Sequence, residues 1–215
     1  MVSVFQLVSS IDNYKEVIIA NIDNESLKMY EFIKKEFLSV DITSNDLFQL
    51  KYNSFYRLNG AGLTKELKSN YFKLLQEKRN IKVFSREEIK SILLELYKYE
   101  SAQGYHCIYF SFVTKLIHTI DNNFPIYDSN IKKVFNFKGP HYYHNNDKKI
   151  NIYLEQHGII NSVYKQIIKE DLLDDVFDLF NKKFSDYSLS KIKILDFIFW
   201  TVGKLNIKKL ILDGS

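Results

Sequence analysis

Asp128 is the residue whose type and setting best suit chemistry in this sequence. It follows Phe124-Pro-Ile-Tyr127 and precedes Ser129-Asn-Ile-Lys-Lys-Val-Phe135. Pro125 biases Phe124 toward an extended backbone, and Asp128 or Ser129 can cap a helix that carries Ile131, Val134 and Phe135. A carboxylate held at the mouth of a helix can stabilise a developing positive charge and orient a water molecule. It can equally be an N-cap and nothing more. Just upstream, Ser111, Lys115 and His118 are spaced i, i+4, i+7, a polar stripe opposite apolar residues at 108, 112, 113, 116, 117 and 120. Lys115 on that stripe could act in catalysis or contact phosphate. His118 could donate to a phosphate or a carboxylate, or be a half-exposed helix residue.

Beyond Asp128 the positive charges gather as Lys132-Lys133, Lys138 and Lys148-Lys149, with Tyr127, Phe135, Phe137, Tyr142 and Tyr143 interleaved. Phosphates attract the first set and exposed bases stack on the second, although lysine pairs on a solvated face need no ligand. His141 and His144, with Asp147 nearby, would suit zinc. No His-Glu-x-x-His accompanies them, and the surrounding Gly, Pro and Asn favour a surface loop with incidental histidines and no metal. Arg57-Leu-Asn-Gly-Ala-Gly-Leu-Thr64 has glycines that could cradle a phosphate, but no strand precedes it and no Gly-Lys-Ser/Thr ends it. A helix–turn–helix junction is the better account.

These residues need elements to hold them, and the periodicity supplies helices almost throughout. Expected helices cover Ile11–Ala20, Glu25–Phe37, Asp46 onward, and Thr64, as cap, to Arg79. Ser85-Arg-Glu-Glu88 has capping-box spacing and opens another. Glu100–Gly104 reads as a junction into the central helix, and Gly139-Pro140 stops the one after Asp128. Later helices are expected over Lys149–Ile168, bent near Gly158, over Leu172–Phe180, and over Tyr187–Gly203 with the glycine as C-cap. Trp200 reads as core, and the stretch from Leu205 as a small strand or docked tail.

The expected fold is therefore all-α, a compact multi-helix globule. With 215 residues, 1–215 is expected as a single globular domain. Residues 1–100 with the C-terminal helices, and 101–170, are its candidate lobes around a cleft. A formal charge of +4, with Arg only at 57, 79 and 86, tilts the chain mildly toward anionic partners. The lone Cys107 excludes an intrachain disulfide, a four-thiolate iron–sulfur cluster and a cysteine zinc ribbon, and beside Ile108 it reads as core. No cofactor is expected. Met1–Ala20 lacks a positive n-region and Asp12 and Glu16 interrupt it, so neither a signal peptide nor a membrane span is expected and the chain reads as cytoplasmic.

The central stretch, residues 85–135, resembles the helix-hairpin-helix DNA glycosylase superfamily. There a helix, hairpin and second helix are followed by a proline-bearing extended segment and an acid opening the next helix. Ser111-Phe-Val-Thr-Lys-Leu-Ile117 would occupy the hairpin exit, and Pro125-Ile-Tyr-Asp-Ser129 the acid motif. Asn53–Arg57, Phe72–Leu75 and Lys193–Trp200 look like parts of a compact bacterial branch. The family's Leu-Pro-Gly-Val-Gly hairpin is absent, and Tyr109–Phe112 stands in its place, a degenerate hairpin. The Schiff-base lysine of bifunctional members would fall near Val113, and the cluster cysteines are missing. The resemblance thus implies a monofunctional, cluster-free enzyme that extrudes a base from double-stranded DNA. Asp128 would assist water at the sugar, Tyr127, Tyr142 or Tyr143 would stack on the base, and Ser111, Lys132, Lys133 and Lys138 would meet the backbone. A probe without activity would leave a nucleic-acid or protein-binding module on a glycosylase-like fold. A monomer is expected.

Overall fold

The computed structural model describes residues 3–207. Helices α1 (Val4–Asn13) and α2 (Lys15–Ala20) open the chain, followed by α3 (Asn24–Ser39), α4 (Asp46–Phe55), α5 (Lys65–Glu77), α6 (Arg86–Tyr97) and α7 (Phe110–Ile120). Then come α8 (Ser129–Phe135), α9 (Asn146–Lys169), α10 (Asp174–Lys183) and α11 (Lys191–Leu205). Among the described residues there is no strand, only two isolated β-bridges, so the architecture is all-α. No helix among them is long and apolar enough to cross a membrane. The chain forms two compact units. Among the described residues, one holds 3–24, Asn122–Tyr142 and 152–207; the other holds Glu25–Asp121 and Tyr143–Asn151.

In the unit of Glu25–Asp121 the caps follow the sequence. Thr64 Oγ1 accepts from the Leu67 amide at 3.2 Å, and Ser85 and Glu88 close a capping box. The glycine-rich punctuation is a junction between α4 and α5. Gly62 adopts φ +67°, and a Cβ there would lie 2.7 Å from Gln103 Oε1. Its carbonyl accepts from Ala102 at 2.7 Å, tying this turn to the one before α7.

Helix α7 departs from expectation. Phe110, Val113, Thr114, Lys115, Leu116, Ile117 and His118 are all buried, so no polar stripe faces water. Helices α5 and α6 both pack on α7, and its polar groups have found internal partners instead. Lys115 Nζ donates to the carbonyl of Tyr56, the C-cap of α4, at 3.1 Å. A cation at a helix C-terminus is electrostatically well placed. His118 Nε2 lies 3.5 Å from the Tyr30 hydroxyl. Beside them Tyr71 donates to the Phe112 carbonyl and Thr119 to that of Lys115, while the Tyr52 hydroxyl lies 2.9 Å from Tyr71 and 3.1 Å from Thr119. Cys107, expected in a helix and in the core, precedes α7 in irregular backbone and is half-buried.

In the other unit α8 lies along α11, and α2 packs on α10 and α11. Phe135 of α8 stacks on the fully buried Phe199 of α11 with ring centroids 5.7 Å apart, and Tyr164 of α9 meets Phe199 at 5.0 Å. Lys183 of α10 donates to the carbonyls of Ile19 and Ala20, closing the last turn of α2. Two glycines do not act as expected. Helix α9 runs unbroken through Gly158, and Gly203 lies inside α11, whose C-cap is Asn206 at φ +52°. Trp200 is half-buried rather than core. Of the stretch from Leu205 expected as a small strand or docked tail, Leu205 is the last residue of α11 and the part from residue 208 lies outside the described residues.

Gly203 has a different task. A Cβ on it would sit 2.3 Å from the carbonyl oxygen of Asn130, in the first turn of α8. Gly203→Ala should therefore lower stability by about 1–3 kcal/mol, although alanine is the better helix former by about 1 kcal/mol. Gly158 has nothing within 4 Å of its Cβ direction, so Gly158→Ala should leave stability unchanged or raise it. Urea unfolding of the two variants checks the contrast.

Candidate active site

Asp128 caps α8 with φ −142° and ψ −175°. Its Oδ1 accepts from the amides of Asn130 at 2.9 Å and Ile131 at 3.0 Å. Both bonds end on the same oxygen, and the side chain is half-exposed, so the carboxylate is fixed in direction without being closed off. The N-terminal end of the helix favours negative charge there. Asp128, not Ser129, is the cap.

The approach to Asp128 is extended, and in a unit of helices such a stretch has no neighbouring strand. Side chains take the strand's place. His157 Nε2 lies 2.8 Å from the Pro125 carbonyl. The carbonyl can only accept, so this nitrogen carries the proton. The His157 ring stacks on Phe124 at 4.2 Å and 20°. The Ile126 amide donates to Asp196 Oδ1 at 3.2 Å. Tyr127 donates its hydroxyl to Gln156 Oε1 at 2.7 Å, and Gln156 Nε2 donates to the Lys138 carbonyl at 2.8 Å. Pro125, Ile126 and Tyr127 are buried in consequence.

Beneath this stretch α11 places Lys193 and Asp196 three residues apart, both almost fully buried. Burial pushes the Asp196 carboxyl up, and the nearby charge of Asp128 adds to that. The Lys193 ammonium and the Ile126 amide draw it back. Burial likewise pushes Lys193 down, against the attraction of Asp196 and Asp128. The two partners and Asp128 thus form one electrostatic group, with Asp128 alone reaching the surface. Burial also lowers His157, from 6.5 to about 4.

Of the residues picked from the sequence, Asp128, Tyr127, Lys132, Lys133, Lys138 and Tyr142 belong to this unit. Ser111, Lys115, His118 and Tyr143 belong to the other. Tyr127 is 4% exposed, packed against Phe137 and Tyr153, and has no open face for a base. Tyr142 is 87% exposed and Tyr143 is 37% exposed. Lys133 and Lys138 are exposed and Lys132 and Ser111 half-buried. Lys115 and His118 are buried, as described, and present no group to a ligand at the surface. Lys132 and His141 converge on Gly139. Asp147, the third member of the imagined zinc set, pairs with Lys90 at 2.8 Å. Among the described residues no group of three or more His, Cys, Asp or Glu could hold a metal ion.

Sequence reasoning missed His157, Gln156, Lys193 and Asp196. The last two carry a signal in hindsight, being charges set i, i+3 inside the apolar run Ile192–Trp200, where charged residues are almost never fully buried without partners. Comparison of the chain with protein-family models, with curated proteins and with solved structures finds no match.

Two outcomes follow from the buried groups. His157 is neutral in the fold, whereas the unfolded chain takes up its proton below about pH 6.5. Stability should fall as pH drops from about 6.5 to 4, by about 3 kcal/mol in all. His157→Gln should remove that part of the slope in urea unfolding followed across pH. Lys193→Met should cost about 3–5 kcal/mol by leaving Asp196 buried without its counter-charge. Adding Asp196→Asn, which keeps an acceptor for the Ile126 amide, should recover most of the loss in the same assay.

Proposed function

We propose that the chain hydrolyses the N-glycosidic bond of a damaged or modified base in double-stranded DNA, with Asp128 as the assisting carboxylate. The observation that carries the reading is the Asp128 carboxylate itself. One oxygen is locked by two backbone amides at the start of α8, and the residue is half-exposed. A fixed negative group of this kind suits a reaction in which positive charge develops on a sugar as its bond to the base breaks. The base leaves with the bonding electron pair, water adds to the anomeric carbon on the face that the carboxylate controls, and the proton that water gives up ends on the departing base.

The surroundings support the same reading. Lys133 and Lys138 are exposed five and ten residues after Asp128, and Lys132 is half-buried, a setting for backbone phosphates. Tyr142 offers a free ring for an extruded base. Tyr127, Lys115 and His118 are assigned structural work. No lysine at the α7 entrance is exposed for Schiff-base chemistry, which favours hydrolysis without strand cleavage. With this activity go a double-stranded DNA partner, a monomer and a cytoplasmic place of action.

Base release from duplexes carrying uracil, alkylated, oxidised or hypermodified bases tests it. Asp128→Asn keeps an N-cap of equal quality, so the fold should survive while release falls by about 10²-fold or more and duplex binding stays unchanged. Release that is unaffected in Asp128→Asn would refute the mechanism. Salt-sensitive duplex binding without release from any substrate would instead make this a binding module.

A further inference from the structure

The hydrogen bonds around Pro125–Tyr127 are unusual in kind as well as number. A buried backbone carbonyl and amide need partners, but any neutral polar side chain would serve. Here the carbonyl of Pro125 is met by an imidazole and the amide of Ile126 by a carboxylate. Both groups are ionisable and nearly all buried, which is an unfavourable way merely to satisfy a peptide unit. The carboxylate also requires a buried lysine on the same helix. What the arrangement adds is direction. Consecutive peptide groups are gripped from two helices, His157 on α9 and Asp196 on α11, and the residue that emerges two positions later is Asp128.

The close approach at Gly203 fits the same account. It brings α11 against the backbone of Asn130, one of the two residues whose amides hold Asp128 Oδ1. The chain is thus held just before Asp128 by His157 and Asp196, and just after it by α11. Catalytic groups need such over-determination, because small displacements of a reacting group reduce rate steeply.

We propose that His157 and Asp196 are positioning residues that aim the Asp128 carboxylate by clamping the peptide groups of Pro125 and Ile126. The proposal rests on Asp128 being the reacting acid, and neither residue touches substrate. A role confined to stability would weaken the whole unit evenly. A positioning role acts first on Asp128 and therefore on the two amides that it caps.

Amide hydrogen exchange at Asn130 and Ile131 separates the two. His157→Phe keeps the stacked ring and removes the donor. Exchange at these two amides should rise at least about ten-fold more than at buried α10 positions such as Phe177 and Phe180. His157→Gln restores a donor of similar reach and should bring most of the protection back. Asp196→Leu combined with Lys193→Met, which removes the acceptor of the Ile126 amide together with its buried counter-charge, serves if His157→Phe does not fold, and should also accelerate the same amides selectively. An even rise across α8 and α10, or no rescue by glutamine, overturns the proposal. Base release measured alongside should show kcat falling with KM unchanged in His157→Phe. A wild-type protein that releases no base would sink the glycosylase reading by itself, while the exchange pattern would still decide whether the clamp exists.

Discussion

An extended stretch buried in a bundle of helices creates a problem of hydrogen bonding that the helices cannot solve with their own backbones. Pro125 contributes by lacking an amide, which removes one donor that would otherwise need a partner. The remaining Pro125 carbonyl and Ile126 amide reach outward, to His157 and Asp196. Much of the unit follows from this requirement. Asp196 must be inside, so Lys193 must be inside with it; α11 must come close to α8, so residue 203 must be glycine. A substitution at any of these places acts through the others.

Each of the two units buries a lysine on a helix. Lys115 donates to the C-terminal carbonyl of α4, where a helix end supplies partial negative charge. Lys193 has a full carboxylate three residues along its own helix and a second, Asp128, at the surface. Lys115 fixes one helix end against the next. The Lys193–Asp196 group transmits its constraint to an extended segment and, through it, to the half-exposed Asp128. Two buried opposite charges are weak support for stability alone, so their presence on α11 is better understood through what they hold in place.

The local features were legible in the sequence because short-range chemistry decides them. Thr64 and the Ser85–Glu88 box cap as their spacing predicts, the Asn59–Thr64 glycine turn separates two helices, and Pro125 followed by an acid gives an extended entry and a cap. Burial of α7 was not legible, since periodicity assigns Lys115 and His118 outward and only the arrival of Tyr56 and Tyr30 from distant helices turns them inward. The glycines misled for a similar reason. Gly158 sits in a helix that its neighbours sustain, and Gly203 answers to a contact with residue 130. His157 lies 32 positions from Pro125, and Asp196 lies 70 from Ile126. No pattern along one chain segment can state such pairings.

That Asp128 is an N-cap does not compete with its having a reactive role. The capping bonds consume one oxygen and hold it by two amides at 2.9 and 3.0 Å, which settles the plane and direction of the whole carboxylate. A side chain free of such bonds would sample several rotamers at a half-exposed position and would lose entropy on every encounter with a substrate. The cap removes that cost during folding, before any ligand arrives. The same geometry explains why asparagine is the informative replacement there. It can make both capping bonds and so preserves the helix, yet it carries no charge. Any activity that needs only the shape of this site will survive the change, and any that needs its negative charge will not.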